Sequence, residues 1–305
     1  MTEKEFDILF HIHKNKNLDT ETILYNTRGF YIDELKSTIA DLKNCGWING
    51  KDISSAGYAA LEPYKVDNAI IMAAGRSSRC LPLSGVIPKG LFKIKGEIML
   101  EREIEQLKQA GVNNIILVVG YLKEKFLYLK DKYNITIIEN PLYDTRNNIH
   151  SLYEAREYMK NSYICCSDNY FRYNVFRDYV YDSYYACKYS REFIDEFCVT
   201  KMQDAYIANV QRGGSDSWYT MGEAYFNRDF SSIFIKLLIS EYNDPEIHKM
   251  LMDDYHIKHI DVLKLRKKEY DSEDVKEFDT VNEIIEFDKT FTNFIELTME
   301  GKYAK

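Results

Sequence analysis

Two basic and two acidic residues of this sequence stand where phosphate chemistry would need them. Arg79 and Lys89 flank a proline-punctuated loop that follows a short apolar run, residues 69–74. Asp168 follows a second apolar run, and Asp279 lies just before a predicted helix near the end of the sequence. Basic groups neutralise phosphate oxygens, and paired carboxylates hold Mg²⁺. Phosphoryl or nucleotidyl transfer would give a use to these residue types, with Asp168 and Asp279 as candidate metal ligands and Arg79, Lys89 and Asp168 as candidate catalytic residues.

The turn after residues 69–74 has the composition of a phosphate-binding loop. Small residues let a ligand approach the backbone, and the hydroxyls of Ser77 and Ser78 add donors to an anion-binding nest of N–H groups. A P-loop is excluded because Gly90 follows Lys89, and a dinucleotide fingerprint is excluded because the turn has a single glycine. An ordinary strand–helix turn with two solvated cations is the alternative. The predicted nucleotide-binding residues of the turn are Ala73, Ala74, Gly75, Arg76, Ser77, Ser78 and Arg79.

Composition limits the classes of protein that fit this chain. The 305 residues carry a net charge of −8, which gives no general attraction to nucleic acid or to an anionic membrane. No apolar run approaches the roughly 20 residues that span a bilayer, and the first residues lack the order of a signal peptide. Six scattered cysteines show no CxxC spacing. We therefore expect reduced thiols in a cytoplasmic protein that makes no membrane contact.

Residues 1–64 differ in character from the rest and predict a separate small domain. Apolar residues at helical spacing occur at 6–12 and 32–42, and residues 47–48 and 53–58 suggest a hairpin. This helix–helix–hairpin order resembles a winged-helix module. The stretch has more acids than bases, so a packing role or a protein contact is favoured over DNA binding, which stays an alternative.

Residues 65–305 predict an α/β domain with a doubly wound, mainly parallel sheet, because strand and helix patterns alternate in its first half. Ligands bind such sheets beyond the carboxyl ends of the strands, where the 75–79 turn and Asp168 both fall. Strands are predicted at 69–74, 91–94, 115–119, 135–140, 163–166, 184–190, 197–202, 206–210, 218–226 and 261–265, with Gly213 and Gly214 as a turn. Helices are predicted at 99–110, 123–133, 150–159, 230–242, 246–255 and from 281.

The order of motifs resembles one enzyme family. AAGxxxR and PK are followed by a strand ending in GY, NPxYxxxNNxxSLY at 140–153, SDNYF at 167–171 and FDT at 278–280. This order resembles the CTP:phosphocholine cytidylyltransferases over residues 69 to about 290, although the family has a glycine where Ser77 stands. The resemblance implies a GT-A-like nucleotidyltransferase domain that transfers CMP from CTP to phosphocholine with Mg²⁺, giving CDP-choline and pyrophosphate.

The resemblance also implies roles for individual residues. Arg79 would grip the β- and γ-phosphates, Lys89 would bridge the substrate phosphates, and Asp168 and Asp279 would bind Mg²⁺. Asn147, Asn148 and Ser151 would lie near the cytidine. Helix capping is the alternative role for Asp279, and an asparagine-rich turn with a helix cap is the alternative for the other three.

The acceptor is predicted from the second half of the chain, which is rich in aromatic and acidic residues. Ring faces with nearby acids bind quaternary ammonium groups. Packing in the core is the alternative for most of these rings. Relatives in the family also accept 2-aminoethylphosphonate or phosphoethanolamine, whose primary amines favour carboxylates, so the acceptor stays open. A sugar-1-phosphate nucleotidyltransferase and a ligand-sensing DNA-binding regulator are the rival functions. The predicted substrate-binding residues are Tyr189, Glu192, Glu196, Phe197, Trp218, Tyr225 and Asp253.

Overall fold

The computed structural model describes residues 1–26, 31–271 and 273–301. Residue packing divides the chain into two units. The smaller unit is Met1–Lys65 together with Tyr179–Tyr181, and the larger unit is Val66–Asp178 together with Asp182–Lys305. The break between Lys65 and Val66 lies one residue from the predicted boundary. Nothing in the sequence signalled that Tyr179–Tyr181 belongs with the N-terminal residues.

The smaller unit has four helices and a two-stranded hairpin among its described residues. Helix α1 begins at a capping box, in which the Thr2 hydroxyl accepts from the Glu5 amide and the Glu5 carboxylate accepts from the Thr2 amide. Residues 55–58, predicted as hairpin, are helical because the Ser54 hydroxyl accepts from the Gly57 amide and caps α4. Residues 27–30 of the predicted winged-helix-like domain lie outside the described residues. The elements are α1 (Glu3–Asn15), α2 (Thr20–Asn26), α3 (Ile32–Asn44), β1 (Ile48–Asn49), β2 (Asp52–Ile53) and α4 (Ser55–Leu61).

The core of the smaller unit is aromatic as well as aliphatic. Phe6 lies 5.3 Å from Tyr64 and 5.6 Å from Tyr181 between ring centres, and Tyr64 and Tyr181 stack at 5.5 Å. Leu9 and Leu35 pack in the same cluster and are fully buried. Residues 179–181 therefore complete this core.

The larger unit combines a nine-stranded sheet with two short ribbons and seven helices in its described part. Its strands are β3 (Asn68–Ala73), β4 (Lys93–Ile94), β5 (Glu97–Ile98), β6 (Ile115–Val119), β7 (Thr136–Glu139), β8 (Ser162–Cys166), β9 (Asn169–Phe171), β10 (Tyr184–Ser190), β11 (Ile194–Gln203), β12 (Tyr206–Gly214), β13 (Ser217–Phe226), β14 (Arg266–Glu269) and β15 (Val275–Glu277). Its helices are α5 (Met99–Gln109), α6 (Tyr128–Tyr133), α7 (Ile149–Glu154), α8 (Arg228–Ser240), α9 (Met252–Lys258), α10 (Val281–Phe287) and α11 (Phe291–Met299).

The α/β class is as predicted, but the description of the sheet as mainly parallel is wrong. The strand order is β10-β14-β12-β11-β13-β8-β3-β6-β7. Strands β8, β3, β6 and β7 are parallel, whereas β13 pairs antiparallel with β8, β10 and β11, and β11 pairs antiparallel with β12. A turn of two residues joins β11 to β12, and a turn this short requires an antiparallel pair. Strand β13 then pairs with the other edge of β11, again antiparallel.

Two local predictions in the second half are also wrong. Gly213 and Gly214 end strand β12, and the turn that follows is residues 215–216. Residues 261–265 are not a strand, and β14 begins directly after them, at Arg266. No helix in the described part of the chain is long and apolar enough to cross a membrane.

Candidate active site

Lys89 is the centre of a charged cluster at the carboxyl ends of strands β3 and β8. Its Nζ donates to Asp168 Oδ2 at 3.1 Å and lies 3.8 Å from Asp279 Oδ1. Only 6% of the Lys89 side chain is exposed. Burial alone would lower the pKa of Lys89, but the charges of Asp168 and Asp279 outweigh it and raise that pKa. Lys89 is therefore held as an ammonium group between two carboxylates.

Arg79 and Asp279 form the second ion pair of this cluster, with Arg79 Nη2 2.6 Å from Asp279 Oδ1. Helix capping does not account for Asp279, because the hydroxyl of Thr280 caps α10 by accepting from the Glu283 amide. The Asp279 carboxylate is left to face the two cations.

A cleft of about 190 Å³ opens beside Lys89. It brings together nine of the predicted residues: Ala73, Ala74, Gly75, Ser77, Lys89, Asn147, Asn148, Ser151 and Asp168. Three predicted nucleotide-binding residues, Arg76, Ser78 and Arg79, lie outside its lining. Ser78 and Arg79 are in a short 3₁₀ helix, Ser78–Cys80, and Arg76 Nε pairs with Asp144 Oδ1 at 2.7 Å.

Ser77 has a backbone conformation that glycine favours. Its φ is 49°, in the left-handed region, where a residue other than glycine is uncommon. The turn therefore keeps the glycine-like backbone and adds a hydroxymethyl group to the cleft.

The amides of Asn147 and Asn148 hold a neighbouring segment in place. Asn147 Nδ2 donates to the Lys249 carbonyl at 3.1 Å, and Asn148 Oδ1 accepts from the Met252 amide at 2.8 Å. The hydroxyl of Ser151 accepts from Asn140 Nδ2 at 3.1 Å. These residues line the cleft and also fix its wall.

Sequence reasoning missed several residues that line the cleft. The signal for Asn140 and Tyr143 was present, since both belong to the NPxY motif. A Cβ on Gly120 would approach the Tyr143 ring to 2.7 Å, so the glycine that ends the GY strand leaves room for that ring. The missed lining residues include Phe126, Asn140, Tyr143 and Arg146.

Glu277 is the acidic residue that sequence reasoning missed. It ends β15, which pairs with β9 directly after Asp168. Its side chain is exposed to solvent. Desolvation, followed by the charges of Asp168, Asp279 and Glu196, raises the pKa of Glu277 well above its ordinary value. The position of Glu277 in the sequence, two residues before Asp279, was the available signal.

The predicted substrate-binding acids have different environments. Desolvation raises the pKa of Glu196, and the charges of Asp279 and Asp253 raise it further. Asp253 Oδ1 accepts from the Thr220 hydroxyl at 2.8 Å, and desolvation raises the pKa of Asp253 as well. Glu192 is exposed in the turn between β10 and β11. Among the predicted substrate-binding acids, Glu196 is therefore the one whose pKa responds to the charge of Asp279, a candidate metal ligand.

The structure does not bring the predicted aromatic residues around one space. Tyr225 is fully buried between Tyr163 and Tyr184, at 5.4 and 6.0 Å between ring centres. Phe197 is buried in the main hydrophobic core. Tyr189 and Trp218 pair at 5.5 Å.

Strand alternation explains this division of the aromatic residues. Side chains alternate between the faces of a strand, so Phe197 and Trp218 point away from the face that carries Glu196 and Tyr219. Desolvation, followed by the charges of Glu277 and Glu196, raises the pKa of Tyr219 to about 12. Tyr219 is therefore the ring beside the acids.

A mixed α/β sheet with paired carboxylates and a buried lysine at the ends of its parallel strands has the arrangement of a nucleotidyltransferase. Residues 69–168 match the MobA-like NTP transferase domain. A 2-aminoethylphosphonate cytidylyltransferase from Lancefieldella rimae is 33% identical over 229 residues, which are 72% of this chain and 92% of that protein.

Choline-phosphate cytidylyltransferase of Streptococcus pneumoniae is 29% identical over 225 residues, 74% of this chain and 98% of that one. The solved structure of CTP:phosphocholine cytidylyltransferase from the same species superposes with a TM-score of 0.70, covering 74% of this chain and 98% of the other. The chain belongs to the cytidylyltransferase family that these proteins represent, and it is a nucleotidyltransferase that carries out CTP-dependent cytidylyl transfer.

Proposed function

We propose that this enzyme transfers CMP from CTP to phosphocholine and releases CDP-choline and pyrophosphate. The observation that carries the proposal is the cluster around Lys89, where two carboxylates pair with basic residues while Glu196 and Glu277 have no ion pair among the described residues. Basic groups suit the phosphates, and the remaining acids suit a cationic acceptor. The names of two relatives, for choline phosphate and for 2-aminoethylphosphonate, support an acceptor of this kind.

The reaction is a displacement at the α-phosphorus of CTP. An oxygen of the acceptor phosphate forms the new P–O bond as the bond from the α-phosphorus to the bridging oxygen breaks, and the electron pair leaves with pyrophosphate. In the proposed reaction Lys89 neutralises charge that develops on the phosphates, and Arg79 binds the leaving pyrophosphate. Catalysis rests on orientation and charge neutralisation, without a covalent intermediate on the protein.

Asp168 and Asp279 are the proposed ligands of Mg²⁺. Asp168 Oδ1 is shielded from solvent and has no hydrogen-bond partner among the described residues, so it can accept a cation. No group of three or more His, Cys, Asp or Glu side chains in the described part of the chain is arranged to hold a metal. In protein sites Mg²⁺ is commonly held by one or two carboxylates together with water and substrate phosphate oxygens. When bound, Mg²⁺ would neutralise phosphate charge and orient the triphosphate.

A primary amine is the second candidate for the acceptor. Tyr219 is the ring beside the acids, and Tyr189, Phe197, Trp218 and Tyr225 lie elsewhere. Carboxylates without a full set of rings suit an ammonium with three N–H donors. 2-Aminoethylphosphonate and phosphoethanolamine are therefore tested beside phosphocholine.

The test is a pyrophosphate-release screen that pairs each of the four NTPs with phosphocholine, phosphoethanolamine, 2-aminoethylphosphonate and a set of sugar 1-phosphates. We expect turnover with CTP and highest kcat/KM with phosphocholine. Preference for another NTP, or turnover with sugar phosphates alone, would overturn the proposal. A higher kcat/KM with a primary amine would replace phosphocholine by the second candidate.

The proposal extends to the smaller unit, for which we favour a winged-helix-like fold that contacts protein. Three helices followed by a hairpin support the fold, and an excess of acids over bases opposes DNA binding. The full-length protein is therefore expected to show no duplex binding that survives physiological salt. A sequence-specific footprint at sub-micromolar protein would support the ligand-sensing regulator instead. The six free thiols support a cytoplasmic location.

A further inference from the structure

Arg146 lies at the end of a stack of side chains that reaches the nucleotide cleft. The Arg156 guanidinium carbon lies 4.2 Å from the centre of the Tyr153 ring, and Tyr153 stacks on Tyr242 at 3.8 Å. The Arg146 guanidinium carbon lies 4.5 Å from the centre of the Tyr242 ring. Arg146 lines the cleft, whereas Arg156, at the opposite end of the stack, does not. The contact with Tyr242 thus holds a guanidinium group at the cleft wall.

The Arg146 guanidinium has no carboxylate partner in the part of the chain that the structure describes, and its Nη1 is shielded from solvent without a hydrogen-bond partner there. Other arginines near the site differ. Arg76 pairs with Asp144, Arg79 pairs with Asp279, and Arg156 donates to the Tyr153 carbonyl. A guanidinium at the wall of a cleft, with no carboxylate or hydrogen-bond partner among the described residues, would gain from a ligand that brings acceptors to it.

We infer that Arg146 is a nucleotide-binding residue that reads the pyrimidine base. A guanidinium only donates hydrogen bonds. Cytosine presents two adjacent acceptors, O2 and N3, on its pairing edge, whereas uracil has a donor at N3. Arg146 directly precedes Asn147 and Asn148, which line the same cleft. The geometry therefore favours cytosine over uracil at this wall. This inference rests on the proposed use of CTP.

The test measures equilibrium binding of CTP and of UTP, without acceptor, to the full-length protein and three variants. Arg146→Met removes the donors and keeps much of the side-chain volume. Arg146→Lys keeps the charge and loses the planar fork. Arg156→Met is the matched control, since it removes the same group from the other end of the stack. Thermal unfolding of all variants checks that the fold is retained.

We expect Arg146→Met to weaken CTP binding about tenfold or more and UTP binding less than twofold, with Arg146→Lys in between. Arg156→Met is expected to leave both affinities within twofold. Equal losses for CTP and UTP would overturn base reading, because a phosphate contact does not distinguish the bases. Unchanged CTP binding in Arg146→Met would overturn the inference alone. Failure of the unmodified protein to bind CTP would overturn the proposed function, and the inference with it.

Discussion

The two halves of the large sheet carry their charges in different ways. At the ends of the parallel strands, acids and bases pair: Lys89 with Asp168, Arg79 with Asp279, and Arg76 with Asp144 at the rim. On the antiparallel side and in the ribbon beside it, Glu196 and Glu277 have no ion pair among the described residues, and the pKa of each is raised. The first region is neutralised by the protein itself, whereas the acids of the second have no ion-pair partner among the described residues and ionise less readily.

The difference shows which charges the ligands would have to supply. A triphosphate entering beside Lys89 competes with carboxylates that already hold the basic groups, so a cation bound with the triphosphate would restore the balance. The acids on the other side instead attract a positive charge on the acceptor. The expected partners of the two regions are therefore a metal-bound triphosphate and a small organic cation.

The largest expected effect tests the paired side. Asp168→Asn should lower turnover by about two orders of magnitude or more, because an amide replaces a carboxylate on Mg²⁺ poorly. Steady-state pyrophosphate release at saturating CTP and Mg²⁺ measures it. Asp144→Asn is the matched control, since Asp144 also pairs with a basic residue, Arg76, but lies outside the cleft lining. Near-normal turnover of Asp168→Asn would remove that residue from the site.

The second-largest expected effect concerns the boundary between the parallel and the antiparallel halves of the large sheet, where β13 pairs antiparallel with β8. Burial raises the pKa of Glu223 from 4.5 to about 7, although the hydroxyls of Tyr184 and Tyr270 donate to its carboxylate. A raised acid pKa means that the folded state binds the proton more tightly than the unfolded state. The stability from this group is complete below pH 4.5 and is lost as pH rises through about 7.

Glu223→Gln should therefore flatten the pH dependence of the free energy of unfolding. Between pH 5 and pH 8 the unmodified protein should lose about 2 to 3 kcal/mol that the variant does not lose. Urea unfolding of both proteins at the two pH values measures the difference. Equal changes in the two proteins would show that Glu223 has no part in the pH dependence.

A smaller effect tests the unpaired side through the acceptor. Phosphocholine should be preferred over phosphoethanolamine on the order of tenfold in kcat/KM. The carboxylates attract either cation, but a primary ammonium loses hydrogen bonds to water that a trimethylammonium never makes. Side-by-side kinetics with saturating CTP, including 2-aminoethylphosphonate, measures the preference. A primary amine that reacts faster would show that the acids accept its N–H groups directly.

The smallest expected effect distinguishes the acceptor side of the site from the nucleotide side by comparing two KM values of one variant. Glu277→Gln should raise the KM for the acceptor about fivefold and leave the KM for CTP within twofold, because glutamine cannot supply the carboxylate that a bound cation would stabilise. Glu273→Gln is the control, because Glu273 is an exposed acid in the loop that precedes β15. A rise confined to the KM for CTP would place Glu277 on the nucleotide side.

Sequence reasoning succeeded where function depends on local spacing. Arg79, Lys89, Asp168 and Asp279 were predicted together from motif order, and the structure places them in one cluster. Sequence reasoning failed where tertiary packing decides the surroundings of a side chain. Tyr225 and Phe197 were predicted to bind the acceptor because they lie in the aromatic second half of the chain, but both side chains are buried in the core.

Other failures have the same cause. Asn147 and Asn148 were identified, but their hydrogen bonds to a segment a hundred residues later could not be. The stack that holds Arg146 joins α7 and its flanking residues to the residue Tyr242, which lies after α8. A contact between residues so far apart in the sequence cannot be predicted from a local sequence pattern.

The three residues Tyr179–Tyr181 have a consequence for how the protein is made. They complete the aromatic core around Phe6 and Tyr64, yet they are synthesised more than a hundred residues after Lys65. At roughly 5 to 20 residues per second, a ribosome reaches them about 6 to 23 seconds after it has finished the N-terminal segment. During that interval the nascent segment lacks part of its core. The first unit to be translated therefore cannot complete its core until more than a hundred residues of the second unit have been made.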